Sequence, residues 1–346
     1  MYKNLYYTAC SFLPVTLLKR VVSATTLLPY HHLVSDKEVL HVKHLYTYKN
    51  TSQFKKDLDV LLKYFRPAVV SEIVESVVEG KSLPKNSFLL SFDDGFREIY
   101  DVIAPILYAK GVPAVFFINP AFLDNKQLFY RCKISLVIDK LIQKKDDKHV
   151  LKTYTAIMEE KPFQSVEKLI MSVKKMDNLD EKKLDQLANE LEISFEEYLK
   201  NQQPFLTTQQ VKELGNKGFS IGAHSWDHPY YHLISEEEKQ RQTISSSLYI
   251  RKEFSPEYNL FAFPHSDKQL SQDFFDKIIS SGADIDIFFG IQNQKVELNN
   301  KVLHRFNAER PWLPMKKQLN GMLFLMLFRK LFHRHKIMRT KLLKGE

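Results

Sequence analysis

Two pairs of side chains in this sequence are spaced for chemistry. Asp93 and Asp94 are adjacent carboxylates in "SFDDG", at the end of the apolar run Ser87–Phe92. His224 and His228 stand four residues apart in "HSWDH", directly after the run "FSIGA". On a helical turn that spacing puts both imidazoles on one face, which suits two ligands of one metal ion. Two histidines and one carboxylate make a three-ligand site with open positions for water. The remaining carboxylate is then placed to act as a general base. Each pair alone has a plainer reading, because Asp-Asp-Gly is also a turn signal and an isolated HxxxH is common. Their shared position at the ends of strand-like runs favours the chemical one. Three more strand ends carry polar groups: "LLPYHH" with His31 and His32, "FAFPHSD" with Pro264 and His265, and "VLHRF" with His304 and Arg305.

The elements that must position these residues are short apolar runs. They begin at Thr25, Ser87, Pro113, Phe219, Asn259, Asp286 and Lys301, with a minor one at Pro67–Val70. Runs this continuous in apolar residues suit strands covered on both faces. Helical patterns lie between several of them. "REIYDVIAPILYAKG" stops at Gly111, two residues before Pro113. "TTQQVKELGNKG" opens with Thr207 and Gln210 at capping-box spacing. Strand–helix alternation predicts an α/β fold with a parallel sheet or barrel. From about 124 to 203 the alternation stops and only Lys/Glu-rich helical pattern remains. Ile134, Val137, Ile138 and Leu141 share one helical face there, as do Val166, Leu169, Ile170 and Val173. We expect a barrel over 1–313 with a helical insertion at about 124–203, then a basic amphipathic tail over 314–346.

The charge supports that division. The chain of 346 residues carries a net +9, and residues 314–346 hold nine Lys/Arg against one acid, Glu346. The rest is close to neutral, so the main body has no nucleic-acid-binding charge pattern. Two cysteines, Cys10 and Cys132, are too few for a disulfide framework or a thiolate zinc site. The opening stretch has a lysine before apolar residues, but Pro14 interrupts it and no small-residue cleavage pattern follows, which argues against a cleaved leader. No run reaches the ~18 apolar residues of a spanning helix. The expectation is a cytoplasmic protein, or one peripheral at a membrane through its tail.

In order and position, "SFDDG" and "HSWDH" resemble the two leading motifs of the NodB-homology polysaccharide deacetylases, a carbohydrate esterase group. Tyr30–His31 resembles that family's opening motif and "FAFPHS" its third; the resemblance runs from about Leu27 to Arg305, excluding the helical insertion. It implies a distorted (β/α)7 barrel. It implies hydrolysis of an N-acetyl, or sometimes O-acetyl, group on a sugar, here a GlcNAc-containing bacterial glycan. It assigns a divalent metal, zinc first and cobalt or manganese as alternatives, to Asp94, His224 and His228. Asp93 becomes the general base, and the backbone N–H of His265 an oxyanion donor. Substrate contacts are expected from His31, Pro264 and Trp226.

Two departures bear on the remaining roles. "YNLFAFPHSD" lacks the arginine that orients the base in this family, and His265 and Ser266 replace its tyrosine and glycine. The family's Leu-x-His motif appears as "VLHRF", one residue out of step. In a strand such a slip reverses the face. With Leu303 in the family's direction, Arg305 enters the barrel and supplies the missing charge, and His265 or His31 is left as general acid. Two other functions compete: a degenerate glycan-binding member, and hydrolysis of another non-peptide C–N bond.

Overall fold

The apolar runs are strands because Phe, Ile, Leu and Val side chains cover both of their faces, and β-branched and aromatic residues are weak helix formers that pack well on a pleated surface. In a computed structural model, residues 6–340 are described apart from 8, 11, 23–25, 146, 147, 159–162 and 298. Thr25 of the first run and residues 341–346 of the tail therefore lie outside the described residues. The strands are β1 (Pro29–His31), β2 (Arg66–Pro67), β3 (Ser87–Phe88), β4 (Leu90–Phe92), β5 (Ala114–Ile118) and β6 (Ser220–Ala223). They continue with β7 (Leu260–Ala262), β8 (Ile287–Gly290), β9 (Val296–Glu297), β10 (Val302–His304), β11 (Phe306–Asn307) and β12 (Lys336–Ile337).

The main sheet has the order β11-β1-β4-β5-β6-β7-β8-β10-β9-β12. All neighbours from β11 to β10 pair in parallel. β10 pairs with β8 and β11 pairs with β1, yet only Arg305 separates them in sequence. One extended run thus bridges the two ends of the sheet and closes a distorted (β/α)7 barrel. Leu28, Leu89, Val115, Phe117, Leu260, Ala262, Ile287 and Phe289 form one buried cluster within it, while the alternate positions Phe92, Phe116 and Phe261 are buried on the opposite, helix-covered face. Gly222 in β6 is required by this packing, since a Cβ there would lie 2.6 Å from the Phe117 ring and 2.9 Å from the Leu260 carbonyl.

One helix departs from its expected form. Ile99–Ile103 is a π-turn and only Ala104–Ala109 is α-helical. Pro105 has no N–H for the regular ladder, so the preceding turn widens and Ala104 N–H bonds back to Ile99. The capping box at Thr207 and Gln210 forms in full.

The chain divides into two compact units, and the second comprises Lys37–Thr47 and Ala121–Phe205. Its helices span Tyr130–Gln143, Lys148–Met158, Val166–Val173, Glu181–Glu190 and Phe195–Gln202. Val137, Leu141, Leu169, Val173, Leu184 and Leu187 are buried. The segment 37–47 is stitched in by Ser135 Oγ–H donating to the Leu40 carbonyl (2.7 Å) and by His44 pairing with Asp139 (2.9 Å). In the barrel unit, the helix Met315–Leu331 packs along the helix Val15–Val22. Its first turn is fixed by Met315 N–H donating to Asp57 Oδ1 (3.0 Å).

Candidate active site

Parallel strands place all their carboxyl ends on one rim, and every chemically interesting residue follows a strand end there. Asp93 and Asp94 follow β4, His224 follows β6, His265 follows β7, Arg305 follows β10 and His32 follows β1. The tight turns that bring them together force unusual backbone. Asp94, Ser225, His228 and His265 all have left-handed φ, between 51° and 73°. Such residues persist only where the surroundings hold them, and they cluster at functional sites.

Asp94 Oδ1 lies 3.5 Å from His224 Nε2 and 3.3 Å from His228 Nε2, and the two nitrogens are 3.2 Å apart. All three residues are buried. Two ligands of a tetrahedral ion at ~2.0–2.2 Å are themselves roughly 3.3–3.6 Å apart, so the triangle has the right size for one ion. The donor chemistry also fits. Asp94 Oδ1 is buried and has no hydrogen-bond partner. His224 Nδ1 is 2.8 Å from the Ala262 carbonyl, so it must carry the proton and leave the Nε2 lone pair facing the triangle. His228 Nδ1 is 3.2 Å from His265 Nε2, and Tyr230 stacks on the His265 ring at 3.6 Å. Burial is the largest influence on the Asp94 carboxyl and favours its neutral form. His228, His32 and His224 outweigh it and hold the group well below the usual carboxylate range. Burial lowers His224 to about 4, which keeps it neutral and able to ligate.

Asp93 sits beside this triangle in a different environment. Arg305 binds it through two parallel bonds, Nη1 to Oδ1 at 2.6 Å and Nη2 to Oδ2 at 2.8 Å. Arg305 also donates to Ser91 Oγ (2.9 Å) and lies between the Tyr30 ring (4.8 Å) and the Phe117 ring (5.2 Å). Burial pushes the Asp93 carboxyl up, but Arg305 and His224 more than offset it, so the group is held low and ionised.

The structure thus brings Asp93, Asp94, His224, His228, His265 and Arg305 together. His265 spends its Nε2 on His228, which occupies the ring expected as a general acid. Pro264 is buried next to it. Trp226 packs edge-on against Tyr249 (5.7 Å), and its backbone N–H donates to Gln242 Oε1 (2.8 Å). His31 is not part of the site. It points away from the rim, stacks on Phe92 (5.6 Å) and meets Phe54 edge-on, with neither ring nitrogen bonded. Burial keeps it uncharged, well below the ordinary histidine value.

The next residue takes the place given to His31. His32 Nδ1 bonds the buried Glu309 Oε2 at 2.7 Å, and its side chain is 22% exposed. Burial disfavours its charge, but Glu309 outweighs that and Asp94 and Asp93 add to it, raising His32 to about 9. Glu309 is held in turn by the N–H groups of His32 (3.2 Å) and Leu33 (2.7 Å). Period-two alternation along "PYHH" signals that Tyr30 and His32 share a face and His31 does not; Glu309 had no sequence signal. Asn119 was also missed. Its amide donates to the carbonyls of His224 and Ser225 and clamps the "HSWDH" turn.

A closed parallel barrel with an acid–histidine cluster on its carboxyl rim defines the class of (β/α)-barrel hydrolases. The family profile for polysaccharide deacetylase matches residues 80–278, more than half of the chain, and the chain belongs to that family. The fold is shared with solved deacetylases. Streptococcus pyogenes PplD, solved with acetate, is 13% identical with a TM-score of 0.55, over 87% of this chain and 99% of that one. IcaB from Ammonifex degensii is 13% identical with a TM-score of 0.50, over 86% and 97%. A de-N-acetylase from Aggregatibacter actinomycetemcomitans is 15% identical with a TM-score of 0.50, over 82% and 95%. No curated protein matches by sequence.

Proposed function

We propose that this chain is a metal-dependent N-deacetylase of a GlcNAc-containing glycan, with zinc held by Asp94, His224 and His228. The observation that carries the proposal is the buried triangle of ligand-capable atoms, 3.2–3.5 Å on a side, beside a carboxylate locked by an arginine. A divalent ion there supplies a lowered water pKa and a polarised acyl oxygen.

The protein's own groups do the rest. Asp93 takes a proton from the attacking water. Arg305 leaves each of its oxygens a further acceptor position, fixes the carboxylate plane and keeps it ionised. The backbone N–H of His265, in the place the family resemblance indicates, donates to the oxygen that gains charge as the carbonyl carbon becomes tetrahedral. His32, charged and held by Glu309, gives its proton to the amine nitrogen as the C–N bond breaks. His265 and the Ala262 carbonyl orient the two ligand imidazoles.

The test is metal analysis of the purified chain together with an acetate-release screen over chitooligosaccharides and lipid-linked GlcNAc precursors. One equivalent of zinc, cobalt or manganese and acetate release that a chelator stops are expected. Metal without any turnover would leave a glycan-binding protein instead.

A further inference from the structure

The helix Met315–Leu331 has two halves with different surroundings. Met315 and Gln318–Leu323 are buried against the barrel unit. Beyond them the sequence "FLMLF" is apolar on every side of the helix, and Phe324 to Leu327 are only half-buried. Phe328 is exposed, Leu331 is 66% exposed and Phe332 58%. A globular protein seldom leaves so continuous an apolar end uncovered. The helix Val15–Val22 that packs along it turns Leu17 and Val21 outward, and Phe12 before it is 83% exposed.

The charge around this end is one-sided. Lys330, Arg334 and Lys336 are exposed within it or just after it in the sequence, and the only acid after Arg310 in the sequence is Glu346. A second copy of the chain would bring the same positive charge to the same patch, which opposes self-association. An anionic surface with an apolar interior complements both properties: cations meet headgroups while Phe and Leu side chains enter the acyl boundary. The helix is too short and too charged to cross a bilayer, and no described helix is long and apolar enough to do so.

The patch also has a fixed place relative to the rim that carries the site. Arg329 donates to the Asn293 carbonyl (2.7 Å), and Asn293 N–H donates to the Arg305 carbonyl (3.0 Å). At the other end, Gln318 donates to the Ala308 carbonyl (3.2 Å), next to Glu309. We infer that the helix end Phe324–Phe332 docks on an anionic lipid surface and holds the strand-end rim beside it. This inference does not depend on the deacetylase chemistry.

The experiment is sedimentation of the full chain with phosphatidylcholine vesicles, with and without phosphatidylglycerol, at low and high salt. The expected result is pelleting with the anionic vesicles only, weakened by salt as screening shortens to a Debye length of about 10 Å or less. Leu331→Ser with Phe332→Ser should cut the bound fraction about tenfold, and Lys330→Glu with Arg334→Glu should remove the salt-sensitive part. Melting temperatures and acetate release from a soluble oligosaccharide should stay near wild type in both, so failure here is distinguishable from failure of the catalytic reading. Absence of anionic-vesicle binding in the wild type, or wild-type binding in both variants, overturns the inference. So does a dimer in light scattering that Leu331→Ser with Phe332→Ser dissolves, because a second copy would then cover the patch.

Discussion

Two buried clusters in the barrel unit use the same residue types and reach opposite ends. Asp94, His224 and His228 form one; Asp267, Glu297 and His304 form the other. In the second, Arg339 fills the space. It donates to Asp267 Oδ2 (2.7 Å), to both oxygens of Glu297 and to the carbonyls of Asp267 and Leu270. In the first, the arginine is displaced by one residue's worth of chemistry. Arg305 satisfies Asp93 and leaves Asp94 Oδ1 without a bond. The adjacent residues His304 and Arg305 feed the two clusters from opposite faces of one strand run. Ligand-capable residues therefore do not make a metal centre by proximity alone. What separates the two is whether a fixed cation already neutralises the carboxylates.

The largest expected effect breaks the open cluster. His224→Ala should lose metal and activity together, falling to background turnover; full metal occupancy in that variant refutes the ligand assignment. The two neighbouring acids then separate by role. Asp93→Asn should keep its metal and lose ~10²–10⁴-fold in turnover, the usual loss for a general base, whereas Asp94→Asn should lose metal affinity first. Identical metal content and kinetics in the two variants would mean that Arg305 does not divide their labour.

The filled cluster should respond in stability instead. Arg339→Met leaves Asp267 and Glu297 as buried charges without their cation, a change that costs ~3–5 kcal/mol. The denaturant midpoint should drop accordingly while metal content stays at one equivalent. An unchanged midpoint would show that the latch from the C-terminal segment contributes little.

His32 links the open cluster to pH. Its folded pKa is raised, to about 9, above the ordinary 6.5, so it is protonated throughout the neutral range. Turnover that uses its proton should be fully present at neutral pH and fall as pH rises through about 9. The stability that the Glu309 pair contributes is fully present below about 6.5 and is lost as pH rises from there through about 9. His32→Gln should reduce turnover by about 10²-fold and flatten that alkaline limb. A limb that persists in the variant assigns the proton to another group.

Much of the barrel was legible because the strand runs are continuous in apolar residues and end in abrupt polar motifs. The family resemblance and the fold follow from those same short stretches. What stayed hidden is non-local. Glu309 lies 277 residues from His32, and Arg339 lies 42 from Glu297, so no spacing announces either pair. Segment 37–47 joins the helical unit although the barrel residues Tyr48–Pro120 intervene between it and Ala121. Periodicity also cannot choose between His31 and His32 until the direction of Tyr30 is known. The face of a strand is set by its neighbours, here by Arg305 lying over the Tyr30 ring.

That choice yields the smallest and most discriminating effect. His31 sits among Phe54 and Phe92 with both nitrogens unbonded. A buried polar group without a partner costs ~1–3 kcal/mol, and leucine has a similar volume with no polar atom. His31→Leu should therefore leave metal content and turnover near wild type and stabilise the fold by about 1 kcal/mol after some loss in packing. The sign with pH is fixed by the direction of the His31 shift. Its folded pKa lies well below 6.5, so the unfolded chain takes up a proton that the folded chain refuses. Wild-type stability thus falls as pH drops below about 6.5, and the variant lacks that contribution. The gap in melting temperature between variant and wild type should widen from pH 7.5 to pH 5, roughly one unit either side of the ordinary histidine value. A large loss of turnover in His31→Leu, with metal retained, would return His31 to the site and displace His32 from it.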